Sequence, residues 1–321
     1  MKRDQLLEQD RLQWEDIACC WCGSNSSELL FEGPDRWEGL PGLFREVRCL
    51  ECGMFRQNPR LAWESLQLYY PEDYGSYEYP SSADIKSWKY LLRRYGDWKR
   101  RRSVERMIPS GRMLEVGCGT GAFLQEMIRS KHWEVVGIEP NRIAAEFCQK
   151  RNGIEIYNDR FSNVKLEPKS FDAIVLWSVL EHLEQPIEDL KYAYSLLRSG
   201  GWLIFSIPSY ESLESKIFGK YWAGWDLPRH LYIFPRPVLY QILTKLGFNI
   251  VDERCLSTSY SVLELCLSFW SQDWEHKYPR LRRLLMKTYR SWITRAVLVL
   301  PLSILDRLQL TTILTIFAQK A

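Results

Sequence analysis

The sequence predicts an α/β protein. A doubly wound, mostly parallel sheet forms its body, a small cysteine-bearing β segment precedes that body, and a helical insertion interrupts it before the last strand. Three observations carry this reading. Short apolar runs alternate with helical patterns from about residue 85 to residue 255, which is the signature of strands covered by helices on both faces. The first run ends in a glycine turn within MLEVGCGTGAFL (Met113–Leu124). Two CxxCG units stand ahead of the alternation.

Those units are Cys19-Cys20-Trp21-Cys22-Gly23 and Cys49-Leu50-Glu51-Cys52-Gly53. Each places two thiols at the mouth of a tight turn, and the glycine permits the turn. Four sulfurs suit tetrahedral zinc, and a four-thiolate site leaves no open position for catalysis. Cys19, Cys22, Cys49 and Cys52 are the expected ligands of a structural zinc, with Cys20 as an alternative to Cys19. The 26 residues between Cys22 and Cys49 leave room for a β-hairpin. The competing reading is four incidental thiols. Next comes LYYPEDYGSYEYPSS (Leu68–Ser82), kept irregular by Pro71, Gly75 and Pro80 and rich in tyrosine.

A helical pattern follows over 85–107, with Trp88, Leu91, Leu92, Tyr95 and Trp98 at spacings of three and four. Its charge run Lys99–Arg102 reads as a solvated face or as a contact for an anionic lipid or phosphate. Strands are expected at 112–117, 134–139, 153–157, 171–177, 201–207, 248–254 and 311–319.

The glycine turn carries the most chemistry. Gly117, Gly119 and Gly121 let the backbone turn sharply and admit a ligand with no Cβ in the way. The spacing is GxGxG rather than the GxGxxG of dinucleotide sites. Glu115, two residues ahead, would serve an ammonium group better than a pyrophosphate. The second apolar run, WEVVGIEPN (Trp133–Asn141), ends in Glu139, eighteen residues past Gly121. An acid at that point of a doubly wound sheet accepts hydrogen bonds from ribose hydroxyls.

Together with IVLWSVLEHL (Ile174–Leu183), LRSGGWLIFSIP (Leu197–Pro208) and WDLPRHLYIF (Trp225–Phe234), these segments resemble the class I S-adenosylmethionine-dependent methyltransferases. The resemblance covers roughly residues 85–255 plus the final strand and implies a Rossmann-like seven-stranded sheet. It implies that S-adenosylmethionine meets Glu115 with its ammonium group, the glycine turn with its amino-acid part and Glu139 with its ribose. Asp159 would lie near the adenine, although the glycine–acid pair usual there is absent and a turn residue is the alternative. Ser178 would border the methionine part. His182 either holds its loop in place or acts as a base. His230, in Pro228-Arg229-His230, is the first candidate for general base, since its ordinary pKa lets it accept a hydroxyl proton near neutrality. Arg229 would bind a substrate phosphate or carboxylate. A cysteine segment followed by a tyrosine-rich stretch further resembles methyltransferases of deoxysugars and other glycan units, which implies that Tyr74, Tyr77 and Tyr79 cover the acceptor. Packing of those tyrosines on a neighbouring domain is the plain alternative.

The expected division is a zinc-ribbon-like segment at 13–60, a tyrosine-rich cover at 61–84, a core at 85–255 and 311–321, and an insertion at 256–310. An insertion of that length is too long for an inert loop. From His276 to Leu305 it holds seven basic residues and no acid, and it ends in the apolar run AVLVLPLSIL (Ala296–Leu305). Ten apolar residues do not span a bilayer. Basic residues followed by apolar ones suit an interfacial helix on anionic lipid. A helical pair on the sheet edge, or a dimer contact, is the alternative.

At 321 residues, with 46% apolar and 26% charged content, the chain can build a full core. A net charge of +3 argues against a nucleic-acid partner. The start MKRDQLLEQDRLQWED has no apolar stretch, and nine cysteines then favour thiols or metal over disulfides, so a cytoplasmic location is expected, either free or on the cytosolic membrane face. The leading functional expectation is methylation of a small-molecule or lipid-linked sugar, directed to oxygen. A quinone-like acceptor is the second reading, and a binding scaffold with a lapsed cofactor site the third. Oligomeric state is left open.

Overall fold

The computed structural model describes residues 12–70, 88–256 and 259–321. The expected substrate tyrosines Tyr74, Tyr77 and Tyr79 lie outside the described residues. The described residues fall into two compact units. One lies within Met1–Tyr70, Ile207–Tyr240 and Ser257–Leu314, the other within Pro71–Ser206, Gln241–Leu256 and Thr315–Ala321.

The chain begins with β1 (Trp14–Glu15), β2 (Ser27–Gly33), β3 (Phe44–Cys49), β4 (Phe55–Gln57), β5 (Arg60–Leu61) and the short helix α1 (Trp63–Leu66). β1 pairs with β5, and β2, β3 and β4 form an antiparallel meander. Phe44 and Val47 of β3 point inward, and β4 is buried throughout.

Helix α2 (Trp88–Met107) leads into the larger sheet. β6 (Gly111–Val116), α3 (Ala122–Ile128), β7 (Trp133–Ile138), α4 (Arg142–Asn152), β8 (Glu155–Tyr157), β9 (Phe171–Trp177), α5 (Pro186–Leu196) and β10 (Leu197–Pro208) follow the alternation that the sequence predicts, except that only a 3-10 turn at Phe161–Asn163 stands between β8 and β9. The central strands are continuous apolar runs because both of their faces are covered. Asn141 caps α4 by accepting a hydrogen bond from the Ala144 amide at 3.0 Å, and Gly153 ends that helix in the left-handed region. That cap explains why β8 starts two residues later than the strand expected at 153. Leu180 to His182 form one 3-10 turn before Pro186 starts α5.

The chain continues through α6 (Leu213–Phe218), β11 (Tyr232–Ile233), α7 (Arg236–Lys245), β12 (Phe248–Arg254), α8 (Ser259–Gln272), α9 (Pro279–Tyr289), α10 (Trp292–Arg307) and β13 (Ile313–Lys320). The finished sheet has the order β12-β13-β10-β9-β6-β7-β8, with β10, β9, β6, β7 and β8 parallel and β12 antiparallel to β13. Met113, Phe123, Met127, Val175, Ile204 and Phe317 belong to its core.

In the other unit β11 adds to the cysteine meander, giving β11-β4-β3-β2. Helix α8 joins the same unit. Gln272 Nε2 donates to the Arg36 carbonyl at 3.0 Å, Arg36 pairs with Asp273 at 3.3 Å, and the rings of Trp37 and Phe269 meet edge-on. The cysteine segment, the stretch after β10 and the insertion therefore share one compact unit, which local sequence pattern alone did not indicate.

Candidate cofactor cradle, cysteine cluster and histidine loop

Three carboxyl ends of adjacent parallel strands define the cradle. The glycine loop follows β6, Glu139 follows β7 and Ser178 follows β9, at the point where the strand order reverses, which is where open α/β sheets bind ligands. Gly117, Gly119 and Gly121 have φ of 69°, 53° and 75°, a region costly for other residues. A Cβ on Gly117 would stand 2.6 Å from Val179 Cγ2. The loop wraps the Glu139 carboxylate: the Gly119 amide donates to Oε2 and the Asn141 amide to Oε1, both at 2.8 Å. Burial raises the Glu139 carboxyl to about 7 against the pull of those two amides. Each oxygen has one amide donor and keeps acceptor capacity, as a ribose diol would need.

Glu115 is buried on β6, and its Oε2 has no hydrogen-bond partner among the described residues. Burial, and then the Asp97 carboxylate, push it well above the ordinary range. An orphaned buried acid fits a cationic group arriving from outside. Helix α2 supplies charges that sequence reading missed here. Arg100 pairs with Asp97 at 3.3 Å and lies over the Trp177 ring at 5.1 Å, while Arg101 pairs with Glu126 at 3.4 Å. The Lys99–Arg102 run is thus spent partly on ion pairs within its own unit, rather than forming only a solvated or lipid-facing surface.

Ser178 adopts φ 54°, and its amide donates to Ser206 Oγ at 2.9 Å. Asp159 is exposed, and its Oδ1 accepts from the Arg160 amide at 2.7 Å and from Asn163 Nδ2 at 2.8 Å. Its carboxylate is tied into its own turn, and those bonds, led by Asn163, lower its pKa.

The four expected zinc ligands converge. The sulfurs of Cys19, Cys22, Cys49 and Cys52 all lie within 4.8 Å of one another, with Cys19–Cys52 and Cys22–Cys49 at 3.5 Å. A zinc–sulfur bond of about 2.3 Å implies tetrahedral edges of roughly 3.8 Å, so the donor set fits the metal. The two turns are alike: the Gly23 amide bonds the Cys19 carbonyl at 2.9 Å and the Gly53 amide bonds the Cys49 carbonyl at 3.0 Å. Cys20 is not among the four, which removes it as a substitute for Cys19.

The loop holding Arg229 and His230 corrects one expectation. Arg229 is fully buried, and all five of its N–H donors are engaged. Nε donates to the Asp226 carboxylate at 3.1 Å, Nη1 to Asp35 Oδ2 at 3.1 Å and the Tyr69 carbonyl at 3.2 Å, and Nη2 to Asp35 Oδ1 and Asp226 Oδ1 at 2.7 Å. Nothing remains for a substrate anion, so Arg229 is structural. Gln57 Nε2 holds the same loop by donating to the carbonyls of Pro228 and His230. His230 Nδ1 lies 2.8 Å from the Gly224 carbonyl, so Nδ1 carries the hydrogen and Nε2 is the basic nitrogen. Nε2 is 3.8 Å from Asp226, and burial lowers the pKa. The aromatic residues ahead of it are core. Trp222 and Trp225 are buried, and Trp222 Nε1 donates to Thr312 Oγ1 at 2.9 Å. Trp225 packs against Phe31 and Tyr210.

Residues 87–253 match the methyltransferase-domain family. The chain belongs to that family. It therefore carries an S-adenosylmethionine-dependent methyltransferase domain, with the sheet order described above. Among curated relatives it is 30% identical over 185 residues to a tRNA U34 carboxymethyltransferase of Stutzerimonas stutzeri, covering 54% of this chain and 56% of that one. It is 30% identical over 154 residues to a ubiquinone biosynthesis O-methyltransferase of a Ruegeria species, covering 44% and 62%. Of these relatives the chain spans little more than half the length. Among solved structures it is similar to a methyltransferase of Thermotoga maritima described as a possible histamine N-methyltransferase, with 27% identity, a TM-score of 0.42 and coverage of 51% and 76%. No helix among the described residues is long and apolar enough to cross a membrane.

Proposed function

We propose that this protein transfers a methyl group from S-adenosylmethionine to a hydroxyl of a sugar or glycan-type acceptor, and that a structural zinc holds its cysteine meander. The observation that carries the oxygen-directed reading is the tautomer of His230. A neutral imidazole fixed through Nδ1–H presents Nε2 as proton acceptor, which a weakly acidic hydroxyl needs. The cofactor supplies an electrophilic methyl group, and the protein's part is to bind, orient and take a proton. Glu115 receives the ammonium, the Gly117–Gly121 turn lies against the amino-acid part and Glu139 accepts from the ribose. Nε2 of His230 takes the acceptor's proton, Asp226 faces the charge that develops, and the Gly224 carbonyl keeps the ring in place. Sugar specificity rests on the sequence resemblance through the tyrosine segment. The zinc rests on the four converging sulfurs.

A quinone-like or other small lipid acceptor is the second reading, favoured by the similarity to a ubiquinone biosynthesis O-methyltransferase. Mass spectrometry of glycans and lipids from host cells with and without the gene separates them. A sugar unit lighter by one methyl group in the deletion strain supports the proposal. Loss of the methyl from a quinone or a nitrogen overturns it.

A further inference from the structure

The insertion pairs two features on consecutive helices. Arg282, Arg283, Met286, Lys287, Arg290 and Ser291 line an open cleft of about 670 Å³, so four of its six lining residues are cationic. Arg282 and Arg290 are partly neutralised, by Glu275 at 3.0 Å and Glu264 at 2.7 Å. Arg283 and Lys287 are exposed and have no acidic partner among the described residues. Immediately after Ser291, α10 leaves an apolar stripe uncovered. Ile293, Val297, Leu300, Ile304 and Leu308 recur at spacings of four, three, four and four, which places them on one helical face, and all are exposed. Trp292, at the junction of cleft and stripe, is 78% exposed, whereas Leu302 on the opposite face is buried.

We infer that α9 and α10 dock this protein on an anionic phospholipid bilayer, with lipid phosphates in the cationic cleft and the α10 stripe among the acyl chains. Charge selects this occupant over a second copy. From His276 to Leu305 the chain holds seven basic residues and no acid, so a symmetric contact through the stripe would bring two cationic surfaces together. An anionic surface neutralises the same charges while burying the stripe. Sixteen residues make α10 about 24 Å long, too short to span hydrocarbon but suited to lying in the interface. An indole at the junction is the side chain that prefers the headgroup level.

The test is co-sedimentation of the full chain with phosphatidylcholine vesicles that contain or lack phosphatidylglycerol, at low and high salt. It needs neither methyl donor nor acceptor, so its outcome is independent of the proposed reaction. Sedimentation with anionic vesicles alone, weakened by salt, is expected. Arg283→Glu with Lys287→Glu should lower the partition coefficient at least about tenfold, since each basic residue near such a surface contributes on the order of fivefold. Val297→Asp with Leu300→Asp should abolish binding while the melting temperature holds, because both positions are exposed. Equal or absent binding to the two vesicle types overturns the inference. So does binding of inorganic phosphate without vesicle binding, or a dimer that the stripe substitutions dissociate in a chain that ignores vesicles.

Discussion

Arg229 and Asp35, 194 positions apart in sequence, are joined by paired hydrogen bonds of 2.7 and 3.1 Å, with no accessible surface on either side chain. Asp35 also accepts the amides of Trp37 and Glu38 at 3.1 Å, and Asp226 takes the rest of the guanidinium. The cation therefore ties the β2–β3 connection of the cysteine meander to the loop that holds His230. Removing one partner of a buried pair strands the other charge, at a cost of about 3–5 kcal/mol. Arg229→Ala should lower unfolding stability by that amount in urea, read by tryptophan fluorescence. Arg229→Lys should recover little, because an ammonium cannot reproduce the two-pronged geometry. A variant of unchanged stability with only a raised KM for the acceptor would restore the substrate-binding role.

The Glu139 carboxyl makes a prediction about pH. Burial raises it to about 7 in the folded protein, above its unfolded value of 4.5. The folded state thus binds more protons than the unfolded state between those values. Its stabilising contribution is full at low pH and is lost as pH rises through about 7. Asp189, also raised by burial to about 7, acts with the same sign, so the comparison must be made against Glu139→Gln. The substitution should flatten part of the slope of stability against pH. Binding of S-adenosylhomocysteine should move the other way, since an ionised Glu139 is the better acceptor for ribose hydroxyls. Titration calorimetry should show tighter binding above pH 7 than below it. Glu139→Gln should bind roughly tenfold more weakly and without that dependence, given about 1.5–3 kcal/mol for a hydrogen bond to a charged group. A wild-type affinity independent of pH and unchanged in the variant would remove Glu139 from the ribose.

What the sequence made legible was local. Buried parallel strands read as apolar runs, the glycine turn has its own spacing, and two CxxCG turns announce their sulfurs, so the strands and the cysteine cluster followed from short windows. What stayed hidden depends on partners far along the chain. Arg229 looked like an anion site because Asp35 lies in another segment. The Lys99–Arg102 run looked solvated because Glu126, the partner of Arg101, lies on another helix and meets it only when α2 packs. No window around Tyr232 shows that it pairs with Arg56 in the cysteine meander. Spacing likewise left Cys19 and Cys20 interchangeable, and folding decided between them.

The cysteine cluster predicts one zinc per chain. Elemental analysis should find it, and a strong chelator should lower the melting temperature, since binding energy at such a site is folding energy. Cys52→Ser should lose the metal, whereas Cys20→Ser should keep it, because Cys20 stands outside the four sulfurs. A metal-free protein with four freely titrating thiols would leave the cluster without its proposed role.

The last prediction concerns the proton. His230 is held neutral by burial, its Nδ1–H is committed to the Gly224 carbonyl and its Nε2 faces Asp226 at 3.8 Å. A positioned base contributes about 10²–10⁴ in rate. His230→Ala should therefore lower kcat at least about a hundredfold while the affinity for S-adenosylhomocysteine stays the same. Because burial moves the pKa below its ordinary 6.5, the acidic limb of the rate profile should lie below that value and vanish in the variant. His230→Gln probes the structural alternative, since its amide can still donate to Gly224. If Gln restores the rate, the residue acts by holding the loop and the proton leaves by another route. If His182→Ala shows the hundredfold loss and His230→Ala stays active, the roles of the two histidines are exchanged. Full activity in both variants would end the oxygen-directed mechanism through histidine.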